Sequence, residues 1–433
     1  MSDSTMKGTF IKSNKTRAWL CAIGSTTSVS LRIVSSVVFA MTLRPLAEKF
    51  NCSDVEVMLI TSILAIGTMV ISTFITPIVL KYNPKVINAL GGVCQAIYYL
   101  TIAFGSSIQV VWIGAVFYGI APCLMGPLMN QTLVTNWFKT GVTKIFTGAM
   151  AIGSLLAVAF APISASVYLH YGLNTLCLGA AIVSFVIVTA ASLLLSRVPS
   201  YYGMEPVAFG KDNPRKGETY HELNMPATRI MKMPIVYVLL IGIFLCNIAW
   251  SLYSSQKSLV FLSFGLDTMS MAWMMSVMQI GQTIMTMTFG IVNDRFGPKI
   301  SFSVSLGYII VLFFALSAFN LSGVVIAFVV ALTGEIGVSS IYFSSTMIPR
   351  FFGRKKGSFF FGWGQTATSL STATAAPLSA YLASLRQGSY TIPFMVSGIL
   401  FVVVIVFMLI LYRQKVISKI WEIDKEYPAE AAA

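Results

Sequence analysis

The stretch Arg295-Phe-Gly-Pro-Lys299 repeats the stretch Lys81-Tyr-Asn-Pro-Lys85 at an offset of 214 residues. Repetition at a fixed offset, in a chain this apolar, predicts two copies of one unit. A duplicated helical half is typical of secondary transporters, so the repeat bears on both fold and function. Further matches at the same offset pair Trp137 with Phe351, Phe138 with Phe352, and Gly148 with Gly362.

The composition is that of a membrane protein with many spans. Of the 433 residues, 56% are hydrophobic and 10% are charged, whereas a soluble domain has about 25% charged residues. The net charge of +14 does not indicate nucleic acid, because the basic residues stand in short segments between apolar runs. The chain has no CxxC pair, no GxxxxGK loop and no zinc-protease motif. We therefore expect no cofactor, no metal ion, no nucleic-acid partner and no enzyme activity.

Twelve apolar runs are long enough to cross a bilayer, and they predict an all-α polytopic membrane protein with two pseudo-symmetric six-helix bundles. The predicted domains are a cytoplasmic N-terminus (1–17), a first bundle (18–196), a cytoplasmic linker (197–233), a second bundle (234–412) and a cytoplasmic tail (413–433). The twelve predicted spans are 18–43, 55–80, 86–106, 109–135, 143–169, 173–196, 234–257, 268–292, 300–319, 322–348, 357–384 and 391–412.

The basic residues predict the orientation of the spans. Of the 29 Lys and Arg residues, 24 fall in the segments on the side of the two termini and the linker. Because cytoplasmic loops carry the excess of Lys and Arg, these segments are predicted to be cytoplasmic. We expect a monomeric multi-pass protein of the cell membrane, surrounded by lipid, with both termini in the cytoplasm.

The loop between the eighth and ninth spans, Gly290-Ile-Val-Asn-Asp-Arg-Phe-Gly-Pro-Lys299, resembles the GxxxDRxGRR signature of the major facilitator superfamily. In that family the loop braces the two halves in the outward-facing state. The resemblance therefore implies a gating role for Gly290, Asp294, Arg295 and Gly297. The first-half copy departs from the signature, since Leu80 replaces the acid and Asn83 replaces the second glycine.

Two shorter stretches resemble the monocarboxylate and oxalate/formate carriers of that superfamily. Trp137-Phe138 followed by Gly148 looks like the junction of their fourth and fifth helices, and residues 199–203 follow the sixth span in a similar way. Oxalate/formate carriers have basic residues in helices 8 and 11, and here those spans have no mid-membrane charge. The resemblance implies a carrier whose substrate site has a different design.

Two charged residues lie in the middle of predicted spans, Arg32 in the first and Glu335 in the tenth. The resemblance implies that the first, fourth, seventh and tenth helices line the central cavity. Because a mid-membrane charge is costly, these two residues are functional candidates. Arg32 either holds the anionic group of a substrate or pairs permanently with Glu335 or helix carbonyls. Glu335 either couples transport to protons or is a structural partner.

Uncharged polar residues are candidates for the rest of a substrate site. Asn247 and Tyr253 lie on one face of the seventh span, Gln279 and Gln282 share a face of the eighth, and Gln365 begins a hydroxyl-rich stretch in the eleventh. Each of these residues could instead join helices to one another by hydrogen bonds.

These patterns predict a secondary active transporter that moves a small organic anion by alternating access. Coupling to protons, as symport or antiport, and exchange against a counter-anion both remain open. One alternative is an antiporter that exchanges drugs or amphiphiles for protons, with Glu335 as the cation site. An alternative from another class is a membrane sensor with a transporter-like fold, although residues 413–433 are short for a signalling tail.

Overall fold

The computed structural model describes residues 14–72, 74–209, 223–319, 321–333, 339–386, 388–411 and 420–424. This part of the chain is built almost entirely of helices. Within it, eight helical segments are long and apolar enough to cross a membrane. The helices of the first half are α1 (Asn14–Phe50), α2 (Asp54–Ser72), α3 (Ile75–Lys81), α4 (Pro84–Phe104), α5 (Ile108–Met125), α6 (Pro127–Trp137) and α7 (Val142–Leu194). Those after it are α8 (Ala227–Ile230), α9 (Pro234–Ser254), α10 (Lys257–Ser263), α11 (Thr268–Phe296), α12 (Pro298–Phe319), α13 (Val324–Thr333), α14 (Ser339–Ser384) and α15 (Thr391–Leu411).

Two of these helices each contain two predicted spans. The 53 residues of α7 would extend about 80 Å as one straight helix, more than twice the thickness of the hydrocarbon core. The backbone leaves the helical conformation at Gly172, with φ 80° and ψ 173°. In α14 it does so at Gly353, with φ 75° and ψ 173°. This conformation is essentially restricted to glycine, so each glycine divides its stretch into two spans, and the described helices are consistent with twelve.

Other predicted spans are interrupted. The second span is divided into α2 and α3, and the fourth is divided at Gly126, the C-cap of α5, after which α6 begins with Pro127. Because proline has no N–H group to donate, it favours the first turn of a new helix. The seventh span is followed by the short helix α10 rather than by a loop. The tenth span is described as α13 and the beginning of α14, and residues 334–338 lie outside the described part.

The two copies of the repeated loop both lead into a helix that begins with proline, but they do so with different backbone conformations. Gly297 has φ 81°, and α12 begins at Pro298. Asn83 has φ −74°, and its side chain accepts a hydrogen bond from the backbone N–H of Lys85 as the N-cap of α4. A side-chain cap thus replaces the left-handed glycine in the first half. The departure of Asn83 from the loop signature preserves the start of the following helix.

The halves are joined mainly by two pairs of helices, α2 with α14 and α7 with α11, and α1 also contacts α10. Ser62 Oγ of α2 donates to the carbonyl of Ala373 in α14 at 2.6 Å. Ser276 Oγ of α11 donates to the carbonyl of Val158 in α7 at 2.7 Å. Small hydroxyl residues allow spans to approach closely and to bond across the interface. These contacts set the register between the two halves.

The segment after α7 is bound to the first half. The backbone N–H of Val207 donates to the carbonyl of Trp137 at 2.8 Å, and that of Lys139 donates to the carbonyl of Val207 at 2.9 Å. Lys139 Nζ also lies 3.0 Å from Glu205 Oε2. The hydrogen bond and the charge of Lys139 lower the pKa of Glu205 below its ordinary value. The two stretches that resemble carriers, 137–138 and 199–203, therefore lie together, and the Trp137 and Tyr202 rings are 6.5 Å apart.

The end of the linker is bound to the C-terminal tail. Asp424 is 1% exposed, and its Oδ1 accepts hydrogen bonds from the backbone N–H groups of Asn224 at 2.8 Å and Met225 at 3.0 Å. Leu223, Met225 and Ile420 are buried in one apolar cluster with residues of the second half. The described linker residues are thus held at both ends, by the first half at 198–209 and by the tail at 223–225.

Candidate functional site

Arg32 lies in α1 at a close contact between two helices. A Cβ atom on Gly153 of α7 would lie 3.0 Å from Ser30 Cα and 2.5 Å from Ile33 Cδ1. The absence of a side chain on Gly153 favours this approach, which brings the backbone of α7 directly beside the turn of α1 that contains Arg32. The Arg32 side chain is partly buried. Its position is therefore set by tight packing of the helices around it.

The guanidinium of Arg32 is bound by the side chain of Tyr118 in α5. Arg32 Nη1 donates to the Tyr118 hydroxyl at 2.7 Å, and Arg32 Cζ lies 4.5 Å from the centroid of the Tyr118 ring. The hydroxyl oxygen and the electron-rich ring face both attract the cation. Among the described residues, no carboxylate forms a salt bridge with Arg32. Arginine has five N–H donors, and the hydrogen bond described for Arg32, to the Tyr118 hydroxyl, uses one of them.

A buried hydroxyl network supports Tyr118. Ser35 Oγ is 2.7 Å from the Tyr99 hydroxyl and 3.0 Å from the Tyr118 hydroxyl. The Tyr99 hydroxyl also donates to the Ser35 carbonyl at 3.0 Å. Tyr98 packs against Tyr118, with ring centroids 4.5 Å apart, and all three tyrosines are at most 1% exposed. A satisfied buried network of this kind is rigid, so it holds Arg32 in one place.

In the second half, the four positions that correspond to this network are occupied by less polar residues. At the offset of 214 residues, Arg32, Ser35, Tyr99 and Tyr118 correspond to Cys246, Ala249, Phe313 and Leu332. Cys246, Ala249 and Phe313 are at most 1% exposed and belong to the apolar core. The repeated fold thus carries a polar cationic centre in one half and an apolar core in the other. This asymmetry suits a ligand with one charged end and one less polar end.

The candidates Asn247 and Tyr253 of α9 are both buried, at 4% and 1% exposure. Asn247 Nδ2 donates to the Thr368 carbonyl at 2.9 Å, and it also contacts the Ser371 and Thr372 hydroxyls of α14. Tyr253 packs against Phe313 and Phe394. In this arrangement Asn247 joins α9 to α14, and Tyr253 is part of the apolar core.

The candidate Gln279 lies on the face of α11 that contacts the first half. It is three residues from Ser276, which donates to the carbonyl of Val158, so both residues share that face. Gln279 is 3% exposed, and its Oε1 has no hydrogen-bond partner in the described part of the chain. Gln279 lies about 4.5 Å along α11 from Ser276, and Gly153, which contacts the turn of Arg32, lies about 7.5 Å along α7 from Val158. The two spans are antiparallel, so both steps lead towards the same side of the membrane. Gln279 and Arg32 therefore lie at a similar depth.

The other glutamine candidates are less buried. Gln282 and Gln365 are both partly exposed. Gln365 Oε1 accepts a hydrogen bond from Thr368 Oγ1 at 3.1 Å. Gly281, next to Gln282, packs against the backbone carbonyl of Leu332 in α13, at 2.1 Å from the position of a Cβ. This contact brings the glutamines of α11 close to the end of α13.

Several predicted residues lie wholly or partly outside the described part. Glu335 lies outside it, so its proposed pairing with Arg32 stays a prediction. In the second loop, Gly290 and Asp294 are described only as backbone positions within α11, Arg295 is exposed, and Gly297 makes the turn into α12. The gating role of the loop therefore also stays a prediction.

The sequence prediction missed Tyr118, Ser35 and Tyr99. A signal for them was present. Tyrosines are enriched at the two membrane interfaces, but Tyr98, Tyr99 and Tyr118 lie well inside their helices α4 and α5. Ser35 is three residues from Arg32 and therefore on the same face of α1. A buried tyrosine needs a hydrogen-bond partner, and Ser35, Tyr99 and Tyr118 provide partners for one another.

Comparison with known proteins supports a transporter fold. The family model of the Major Facilitator Superfamily matches residues 239–427. No curated protein matches the chain. Among solved structures, a mutant of the nucleoside transporter NupG is similar to the chain with a TM-score of 0.69 and 15% identity, over 92% of this chain and 100% of that one. At this identity the likeness shows the fold and not the substrate.

Proposed function

Because the family model of the Major Facilitator Superfamily matches residues 239–427 and the fold is similar to that of a solved transporter, we propose that the chain is a transporter of this superfamily and carries a small organic anion bound by Arg32. The observation that supports the proposal most is the manner in which Arg32 is held. Tyr118 fixes the guanidinium through its hydroxyl and its ring face, and neither group neutralises the charge. A cation held by neutral groups at mid-membrane attracts a carboxylate or phosphate.

Transport would proceed by alternating access, with the substrate bound between the halves. One of the helices that join the halves, α7, packs against α1 beside Arg32. Gln279 offers an amide on the second half at a depth similar to that of Arg32. In this scheme Arg32 binds the anionic group, and Gln279 binds a polar group at the other end of the substrate. The loop from Gly290 to Gly297 would brace the halves in one of the two states.

Glu335 is the proposed coupling residue. A carboxyl group in a membrane interior changes its protonation readily because burial disfavours its charged form. A protonated Glu335 would no longer compete with the substrate for Arg32, so the anion and the proton would move together. Exchange against a counter-anion is the alternative, since a second anion could displace the first from Arg32 without any proton.

The test measures the uptake of individual compounds into proteoliposomes that contain the protein. The compounds are short monocarboxylates and dicarboxylates, with uridine as an uncharged comparison. Arg32→Ala should abolish anion uptake, and Arg32→Lys should weaken it, because an ammonium lacks the planar fork of guanidinium. Arg44→Ala is the matched control, since Arg44 is exposed and pairs with Glu48 and Asp54. Anion uptake that persists in Arg32→Ala, or uptake of uridine alone, would show that the anion proposal is wrong.

Coupling is tested with an imposed pH gradient. Glu335→Gln should retain anion exchange at equal pH and should lose accumulation driven by the gradient. Full accumulation in Glu335→Gln would remove the coupling role from this residue. Uptake by the wild type that depends on internal anion and not on the gradient would favour exchange.

A further inference from the structure

A cavity lies among helices of the first half. It has a volume of about 150 Å³ and lies between α1, α4 and the two segments of α7. Its lining is mainly aliphatic, and its rim includes Ile163 and Val183 of α7, which are 51% and 36% exposed. Apolar side chains exposed on a membrane protein face lipid. The cavity is therefore open to molecules dissolved in the bilayer.

One residue that lines the cavity has a buried polar atom without a partner among the described residues. Gln95 of α4 lines the cavity and is fully buried. Its Nε2 donates to Ser184 Oγ at 2.8 Å, whereas its Oε1 has no hydrogen-bond partner in the described residues. If the amide were turned over, its nitrogen would be the atom without a partner. A buried polar atom in this situation is costly, and a bound ligand is one way to satisfy it.

The other polar groups that line the cavity already have partners. Ser35 bonds to Tyr99 and Tyr118, Ser164 donates to the carbonyl of Phe160, and Thr175 donates to the carbonyl of Tyr171. Gln95 therefore provides the open acceptor. A water molecule needs two to four polar partners in a buried site, and this cavity is poorly suited to hold one.

We propose that this cavity binds a small bilayer-soluble phenol or alcohol, whose hydroxyl donates to Gln95 Oε1 and whose apolar part fills the space among the aliphatic side chains. The volume supports this class of ligand, because an apolar cavity of about 150 Å³ admits a benzene-sized molecule. The single open acceptor requires a single donor. The ligand enters between the two segments of α7 directly from the lipid.

Bound ligand would contact the groups that hold Arg32. Ser35 and Tyr99 line the cavity on one side and belong to the hydrogen-bond network of Tyr118 on the other. The binding itself does not depend on the proposed transport of anions, so it can be tested without any substrate.

The experiment uses the full chain in nanodiscs and fluorine NMR with 4-fluorophenol, with fluorobenzene as the analogue that lacks a donor. Wild-type protein should bind both compounds saturably, and 4-fluorophenol about three to ten times more tightly. Gln95→Leu should remove this preference and leave the binding of fluorobenzene unchanged. The readout is binding, so the result does not depend on activity.

Gly179→Leu provides a second variant that fills the cavity and leaves Gln95 in place. Gly179 lines the cavity, and a Cβ atom there would meet no atom within 4 Å. This variant should fold and should bind neither compound. Gly307→Leu is the matched control, because Gly307 of α12 is equally unobstructed and lies outside the cavity. The proposal is overturned if Gly179→Leu binds both compounds as the wild type does. It is also overturned if the wild type binds both compounds with equal affinity, or binds neither of them saturably.

Discussion

Tyr118 contacts Arg32 in two ways at once, through a hydrogen bond of 2.7 Å to its hydroxyl and through its ring face at 4.5 Å from the guanidinium carbon. The two contacts have different consequences. The ring attracts any cation above it, whereas the hydroxyl fixes one particular N–H group. The hydroxyl therefore determines the direction in which the remaining donors of Arg32 point, and the ring determines the distance. Substitutions can separate these two effects.

Tyr118→Phe removes the hydroxyl and keeps the ring. A hydrogen bond to a charged group contributes about 1.5–3 kcal/mol, so the loss should raise KM for the anion by about tenfold or more with little change in the amount of folded protein. Tyr98→Phe is the control, because its ring packs against Tyr118 and its hydroxyl is not a described partner of Arg32. Equal effects of both variants on KM would show that packing, and not the bond to Arg32, is responsible.

Asn247→Ala tests whether Asn247 joins helices or binds substrate. The variant removes the amide that bonds to the Ser371 and Thr372 hydroxyls and to the Thr368 carbonyl of α14. We expect a loss of about 1–3 kcal/mol of stability, a lower Tm and an unchanged KM in the folded fraction. Thr374→Val is the matched control, since Thr374 is exposed and bonds only within its own helix. A raised KM at unchanged Tm would instead place Asn247 in the substrate site.

Gly281→Ala should separate α11 from α13. Its Cβ would lie 2.1 Å from the Leu332 carbonyl oxygen, which is a backbone atom and has little freedom to move. Overpacking of this kind costs about 1–3 kcal/mol, so thermal unfolding in detergent should occur several degrees lower. Gly307→Ala meets no atom within 4 Å and should be neutral or slightly stabilising. The same Tm for both variants would contradict the close contact between α11 and α13.

Glu205→Gln should change the dependence of stability on pH. The hydrogen bond from Lys139 lowers the pKa of Glu205 below its ordinary value of 4.5. A carboxylate whose pKa is lower in the folded state stabilises the fold at pH values above its ordinary pKa of 4.5. This stabilisation is lost as the pH falls through the lower pKa of the folded state. The Tm of the wild type should exceed that of the variant slightly at neutral pH and low salt, and the difference should disappear in acid.

High salt should also remove this difference, because both partners of the pair are exposed. The control is Glu422→Gln, which removes an exposed carboxylate from the tail. A difference in Tm between the wild type and Glu205→Gln that stays constant in acid and in high salt would show that the pair has no such role.

The fold could be predicted from the sequence because its main determinants are local. The spans follow from apolar runs and from turn residues such as Gly297-Pro298, which act over short distances. The repeat at an offset of 214 residues shows the same local pattern in both halves. The division of the fourth span at Gly126 was missed although Pro127 marks it, because hydropathy alone does not register the loss of one N–H donor. The exact ends of α1 were also missed, since it extends to Asn14 and Phe50 beyond the predicted 18–43.

The site was predicted only in part, because its contacts are distant in the sequence. Arg32 was identified from its charge alone, but Tyr118 lies 86 residues away, and hydropathy treats it as one more apolar residue. Asn247 was identified by its polarity, and the structure shows it bonded to α14. Polarity inside a span thus indicates that a partner exists. Whether the partner is protein or ligand depends on the packing of helices, which a single sequence does not specify.

The anchoring of the linker at both ends sets a limit on motion. Phe209 is tied to Thr140 in the first half by a hydrogen bond of 2.9 Å, and the stretch from Leu223 to Met225 is tied to Asp424 of the tail. The fourteen peptide steps between Phe209 and Leu223 can extend to at most roughly 50 Å. In the proposed alternating-access cycle, the distance between these two anchor points cannot exceed this reach, so the length of the linker should limit how far the halves separate on that side. Shortening it would restrict the transport cycle before it altered the affinity of the site.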